Sequence, residues 1–127
     1  MATINLTKEN LESTIMNNDT VIIDFWAEWC GPCKMFGPIF EEASNRHPDV
    51  VFAKVDTESE QELAQYFQVR SIPMVVAFRE QIGIFQQPGL MQGPQLDEVL
   101  GKIKALDMDQ VRADIAKEQE EAGNAGE

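Results

Sequence analysis

The sequence is short of the residues that metal, nucleic-acid and membrane chemistry depend on. It has one histidine (His47), two cysteines, one tyrosine and 10 Lys+Arg against 22 Asp+Glu, a formal net charge of −12 over 127 residues. With so few bases and a pI of 4.4, neither nucleic acid nor an anionic membrane surface is a fitting partner, because both are held through clustered Lys and Arg. No run approaches the ~20 apolar residues of a spanning helix. The N-terminal Met-Ala-Thr-Ile-Asn-Leu-Thr-Lys-Glu lacks the basic start and apolar centre of a secretory signal. The chain therefore reads as soluble and cytoplasmic, the alternative being a secreted form already freed of its signal. A tetrahedral zinc site wants four ligands, and Cys30, Cys33 and His47 make three, so no metal is expected. The remainder is ordinary: 43% hydrophobic and 25% charged residues suit one globular domain of this length.

Apolar periodicity alternates between strand and helix. Residues 3–6 read as a short strand, and Thr7 can cap a helix that turns Leu11, Ile15 and Met16 inward. Residues 20–26, Thr-Val-Ile-Ile-Asp-Phe-Trp, form a nearly continuous apolar run around one carboxylate, Asp24, the pattern of a strand buried on both faces. A helix follows from the cysteines to Arg46 on Met35, Phe36, Ile39, Phe40 and Ala43, with Pro38 expected to kink it. A third strand spans 50–55, and Asp56 and Thr57 can cap a helix burying Leu63, Ala64 and Phe67. Residues 74–78 and 82–86 make an antiparallel hairpin. Gly93-Pro94 opens a last core helix on Leu96, Val99, Leu100 and Ile103. The order β-α-β-α-β-α-β-β-α predicts an α/β fold, a mixed central sheet with helices on both faces.

The pattern changes after residue 104. Met108, Val111 and Ile115 share a helical face, and Asp107 is placed to cap it. Residues 118–127 hold no large apolar side chain, which predicts fraying. From Ala105 onward there are seven acidic and two basic residues. The expected organisation is thus a domain at 1–104 and an acidic, partly helical extension at 105–127.

The two cysteines are separated by two residues where a buried strand gives way to a helix. A helix N-terminus stabilises a thiolate through its unpaired N–H groups and dipole, so Cys30 is the expected nucleophile. Cys33, one turn further in, should be more buried and placed to attack the mixed disulfide formed by Cys30. Gly31 leaves room for a substrate chain, and Pro32 stiffens the turn at no hydrogen-bond cost. Asp24, buried in an apolar strand, should have its pKa raised by desolvation.

Trp26-Ala-Glu-Trp-Cys-Gly-Pro-Cys-Lys34, with Val21-Ile-Ile-Asp-Phe25 before it and Arg70-Ser-Ile-Pro73 after it, closely resembles the active-site signature of the thioredoxin family over about residues 2–104. That resemblance implies the thioredoxin fold and protein-disulfide reduction through Cys30 and Cys33. It makes Asp24 the proton acceptor for the resolving cysteine and Lys54 its partner on the next strand. It makes Trp29, Gly31, Pro32, Ile72, Pro73 and Gly89 the docking surface for substrate chains, with the Ile72–Pro73 bond cis. It also implies a monomer without bound cofactor, working on disulfide-containing proteins and re-reduced by thioredoxin reductase with electrons from NADPH. Oxidising relatives usually place histidine between the cysteines, and Gly31-Pro32 favours the reductant side. Met74 stands where a threonine is common. Gln81 replaces a frequent turn glycine, so that loop is expected to change conformation. A binding or chaperone-like module using the acidic extension is the competing reading.

Overall fold

The computed structural model describes residues 2–125. The elements run β1 (Thr3–Asn5), α1 (Leu11–Met16), β2 (Thr20–Trp26), α2 (Gly31–Arg46), β3 (Val51–Asp56), α3 (Gln61–Tyr66), β4 (Met74–Arg79), β5 (Ile82–Pro88), α4 (Gly93–Lys104) and α5 (Met108–Ala125). The sheet order is β1-β3-β2-β4-β5. β1 and β2 flank β3 in parallel, β4 is antiparallel to β2, and β5 is antiparallel to β4. β2 is therefore central, and the register sets Asp24 opposite Lys54 on β3 and Val75 on β4.

Strand alternation sorts β2 onto two cores. Ile22 joins Phe36, Phe40, Phe52, Leu96 and Leu100 beneath α2 and α4. Val21, Ile23 and Phe25 pack with Leu6, Val55 and Leu63, and with the partly buried Leu11 and Phe67, beneath α1 and α3. Two-residue alternation puts Asp24 on the α2 side, beneath the helix that carries both cysteines.

Several local expectations need correction. Thr7 and Asn10 exchange reciprocal side-chain bonds (Thr7 N–H to Asn10 Oδ1, 2.8 Å; Asn10 N–H to Thr7 Oγ1, 3.3 Å), and α1 itself begins only at Leu11. Met16 and Met35 are exposed rather than inward. Asp56 Oδ1 accepts the N–H groups of Glu58 and Ser59 at 3.0 and 3.5 Å, shaping the turn after β3, while α3 starts later, at Gln61. The β4–β5 turn keeps the left-handed conformation that Gln81 was expected to forbid: Glu80 and Gln81 have φ of 49° and 66°. Glu80 N–H donates to the Asp19 carbonyl at 2.7 Å, and Gln81 Nε2 to the Met16 carbonyl at 3.4 Å, anchoring the turn.

The extension is more helical than its composition suggests. Asp107 Oδ1 accepts the Gln110 N–H at 3.2 Å as expected, and Met108 is buried. The helix then continues through residues 118–125, where fraying was expected. Glu, Gln and Ala dominate there, and these sustain a helix without a buried face. Residues 126 and 127 of that expected tail lie outside the described residues.

Candidate active site

Cys30 occupies the N-cap of α2 with extended backbone (φ −88°, ψ 110°), and its Sγ accepts the Cys33 N–H at 3.2 Å. Pro32 lies in the first turn, where no N–H is needed. Cys30 and Cys33 are joined as a disulfide with Cα atoms 5.2 Å apart. Contrary to expectation, Cys33 is not the more buried: both residues are 4% exposed. Cross-linking across one helical turn packs both sulfurs beside Ala27, with Trp26 and Ile72 against them. What distinguishes the two is position, since Cys30 receives a helix N–H and has its Sγ 3.7 Å from the Ile72 carbonyl oxygen.

The Ile72–Pro73 bond is cis. The Pro73 carbonyl accepts the Gly89 N–H at 2.8 Å, and Gly89 has φ +98°, a conformation that residues with a Cβ adopt only at a cost. A Cβ added to Gly31 would meet nothing within 4 Å. Trp29 is 70% exposed, with its Nε1 donating to Glu58 Oε1 at 2.6 Å. Trp29, Gly31, Pro32, Ile72, Pro73 and Gly89 come from the β2–α2 turn, the loop before β4 and the end of β5, and they meet at the disulfide's end of the sheet.

Asp24 is fully buried, and neither carboxylate oxygen has a hydrogen-bond partner. Burial pushes its pKa up to about 7, and the Lys54 charge pulls only partly the other way. Lys54 is level with Asp24 in register, yet among the described residues its ammonium forms no ion pair with it. Lys54 Nζ instead lies 5.3 Å from the Trp26 ring centroid. A cavity of about 350 Å³ brings Lys54 together with Cys33, Trp26, Gly37 and Glu41. Trp26 Nε1 and Glu41 Oε2 are buried there without partners. Sequence reasoning missed Trp26 and Glu41. The available signals were Trp26's placement two residues after Asp24, on the same strand face, and Glu41's two helical turns after Lys34.

His47 caps the far end of α2, about 24 Å along a helix of this length. Among the described residues, no group of three or more His, Cys, Asp or Glu side chains could hold a metal.

A helix N–H aimed at one sulfur, a second sulfur one turn on and a buried carboxyl on the strand beneath them suit dithiol–disulfide exchange, which places the protein among the thiol–disulfide oxidoreductases. The thioredoxin family model matches residues 2–105. The putative thioredoxin 2 of Streptomyces coelicolor is 52% identical over 122 residues, covering 96% of this chain and 91% of that protein. Thioredoxin C-3 of Corynebacterium nephridii is 42% identical over 98 residues, covering 76% and 68%. A mutant thioredoxin of Halobacterium salinarum superposes with a TM-score of 0.76 at 30% identity, covering 82% of this chain and 91% of its own. The chain belongs to the thioredoxin family, has its fold, and is a protein-disulfide reductase by membership.

Proposed function

We propose that the protein reduces protein disulfides with Cys30 as nucleophile and Cys33 as resolving thiol. The observation that carries this assignment is the Cys33 N–H directed at Cys30 Sγ at the mouth of α2, which stabilises negative charge on the outer sulfur. In the first step the Cys30 thiolate attacks a substrate disulfide, forming a Cys30–substrate bond and expelling one substrate thiolate. Cys33 then gives its proton to Asp24, and its thiolate attacks Cys30 Sγ. The second substrate thiolate leaves and the Cys30–Cys33 disulfide forms, so two electrons pass from the dithiol to the substrate. An Asp24 pKa of about 7 suits a group that takes and returns a proton near neutral pH. Lys54 moderates that pKa by its charge.

In this reading Trp29, Gly31, Pro32, Ile72, Pro73 and Gly89 receive the substrate chain, supported by their convergence on the disulfide. The oxidised protein is re-reduced by thioredoxin reductase drawing on NADPH, with no cofactor bound to this chain, and it works as a monomer in the cytoplasm. Residues 1–104 form the redox domain and residues 105–127 an accessory extension, consistent with the family match ending at residue 105. The test is turnover of a disulfide-bonded protein with reductase and NADPH. Sustained NADPH oxidation that depends on both Cys30 and Cys33 is expected, and none with intact cysteines would overturn the assignment.

A further inference from the structure

Beside the nucleophile lies a groove of about 410 Å³ with Trp29, Thr57, Ala64, Val69 and Ile72 in its walls and Arg70 as its charged lining residue. It adjoins the reacting sulfur, since Ile72 belongs to its wall and the Ile72 carbonyl oxygen is 3.7 Å from Cys30 Sγ. A peptide joined to Cys30 through a mixed disulfide would lay its neighbouring residues into or past this groove. We propose that the groove selects substrates carrying a carboxylate side chain close to the attacked cysteine, with Arg70 as the specificity-determining residue. The inference rests on the reductase reading above and adds a substrate class to it.

The charge distribution supports it. Among the described residues, Lys8, Arg46, Arg79, Lys102, Lys104 and Arg112 are held in ion pairs. Of the 10 Lys and Arg, this leaves Lys34, Lys54, Arg70 and Lys117, and the first three flank the disulfide. With 22 carboxylates in the chain, an arginine paired with none of the described ones is unusual, and the acids within two residues of the groove's Thr57 and Ala64 are engaged elsewhere. Glu58 accepts from Trp29 Nε1 at 2.6 Å, Glu62 pairs with Lys8 at 2.8 Å, and Asp56 accepts the turn N–H of Glu58 at 3.0 Å.

The backbone that presents Arg70 is also fixed. Gln68 adopts φ 55° at the end of α3, and the Val69 N–H returns to the Ala64 carbonyl at 2.9 Å, the closing bond of a helix C-terminal motif. Arg70 thus leaves a locked turn, exposed, with planar donors suited to a carboxylate. The long-range field of a −12 protein favours the opposite, basic substrates, so the two effects are separable by experiment.

The experiment uses the full-length, pre-reduced protein in single turnover without reductase, acid-quenched and read by chromatography. The substrates are cyclic disulfide peptides in which one residue, walked through the three positions on either side of a cysteine, is Glu, Gln or Lys. At 20 mM salt, Glu at its best position should react about three- to fivefold faster than Gln there, as expected of one exposed charge pair. The ratio should shrink at 300 mM salt, where screening is strong. In Arg70→Gln the Glu/Gln ratio should fall to about one, and taking the ratio within one variant cancels any general damage to that variant. Lys117→Gln, remote on α5, should retain the wild-type ratio. A ratio that survives Arg70→Gln, one lost equally in Lys117→Gln, or a preference for Lys at every position would overturn the inference. The Gln peptides report the exchange reaction itself: if the wild type reduces none of them, the reductase reading fails along with this one.

Discussion

The two ends of α2 carry similar chemical groups and treat them in opposite ways. At the C-terminal end, His47 Nε2 meets Asp97 Oδ1 at 2.8 Å, Arg46 reaches the same oxygen at 3.0 Å, and Lys104 Nζ lies 3.2 Å from His47 Nδ1 and 2.9 Å from Asp49 Oδ2. Because an ammonium only donates, His47 Nδ1 is an acceptor and its Nε2–H donates to Asp97. His47 and then Arg46 hold Asp97 below the usual carboxylate range. At the N-terminal end, the Asp24 carboxylate and Trp26 Nε1 are buried without partners. The first end behaves as structure, each group stabilising its neighbour. The second keeps a carboxyl whose protonated form burial favours, which is a cost to the fold and a resource for proton transfer.

The largest expected effect comes from breaking the unpaired end at sulfur. Cys30→Ser should abolish disulfide reduction, while Cys33→Ser should still attack and accumulate as a Cys30–substrate adduct detectable by mass spectrometry. Adduct accumulation on Cys33 in a Cys30→Ser protein instead would reverse the assigned order.

Next comes the stability cost of Asp24. With its pKa raised from 3.8 to about 7, the folded chain holds a proton that the unfolded chain releases between those values. The stability this group contributes is therefore present below pH 4 and lost as pH rises through 7. Relative to wild type, Asp24→Asn should gain stability steadily across that window, approaching about 4 kcal/mol above pH 8 at 1.36 kcal/mol per unit. Urea unfolding at pH 4, 6 and 8 measures it, and a pH-independent difference would remove the comparison's basis.

Smaller effects belong to the paired end and to the extension beyond it. Truncation after Lys104 exposes the surface that buries Met108, a loss of roughly 1–3 kcal/mol. It spares the Arg79 guanidinium bonds to the Ile103 and Lys104 carbonyls at 2.7 and 3.1 Å, so turnover should stay within severalfold of the full chain, as the NADPH-coupled assay can check. Asp97→Asn should cost no more than about 1 kcal/mol, since the network is largely solvated, and should leave turnover unchanged. A fall in turnover would show that the two ends are coupled.

The difference between the ends also explains what the sequence disclosed. The succession of strands and helices along the chain, the helix bearing Cys30 and Cys33, and the burial of Asp24 were legible because each follows from local apolar runs and a short motif. Who pairs with whom was not. Lys54 lies level with Asp24 yet turns its ammonium to Trp26, an outcome decided by packing between β3 and α2. Equal burial of the two cysteines was invisible for the same reason. Met35 follows the helical stripe but is exposed, because periodicity identifies a face without setting its width. α5 outruns its apolar pattern because a helix does not require large apolar residues, and intrinsic propensity suffices at Glu118 to Glu121.

The most direct measurement is the rate at which Cys33 resolves a preformed Cys30 mixed disulfide, followed from pH 5 to 9 in the wild type and in Asp24→Asn. If Asp24 takes the Cys33 proton, the wild-type rate should rise through an inflection near 7, the value to which burial raises the carboxyl. Asp24→Asn should lose that inflection and run on the order of 100-fold slower on the plateau, the size of a general-base contribution. Superimposable profiles for the two proteins would contradict this and leave Asp24 a buried carboxyl with no part in the exchange.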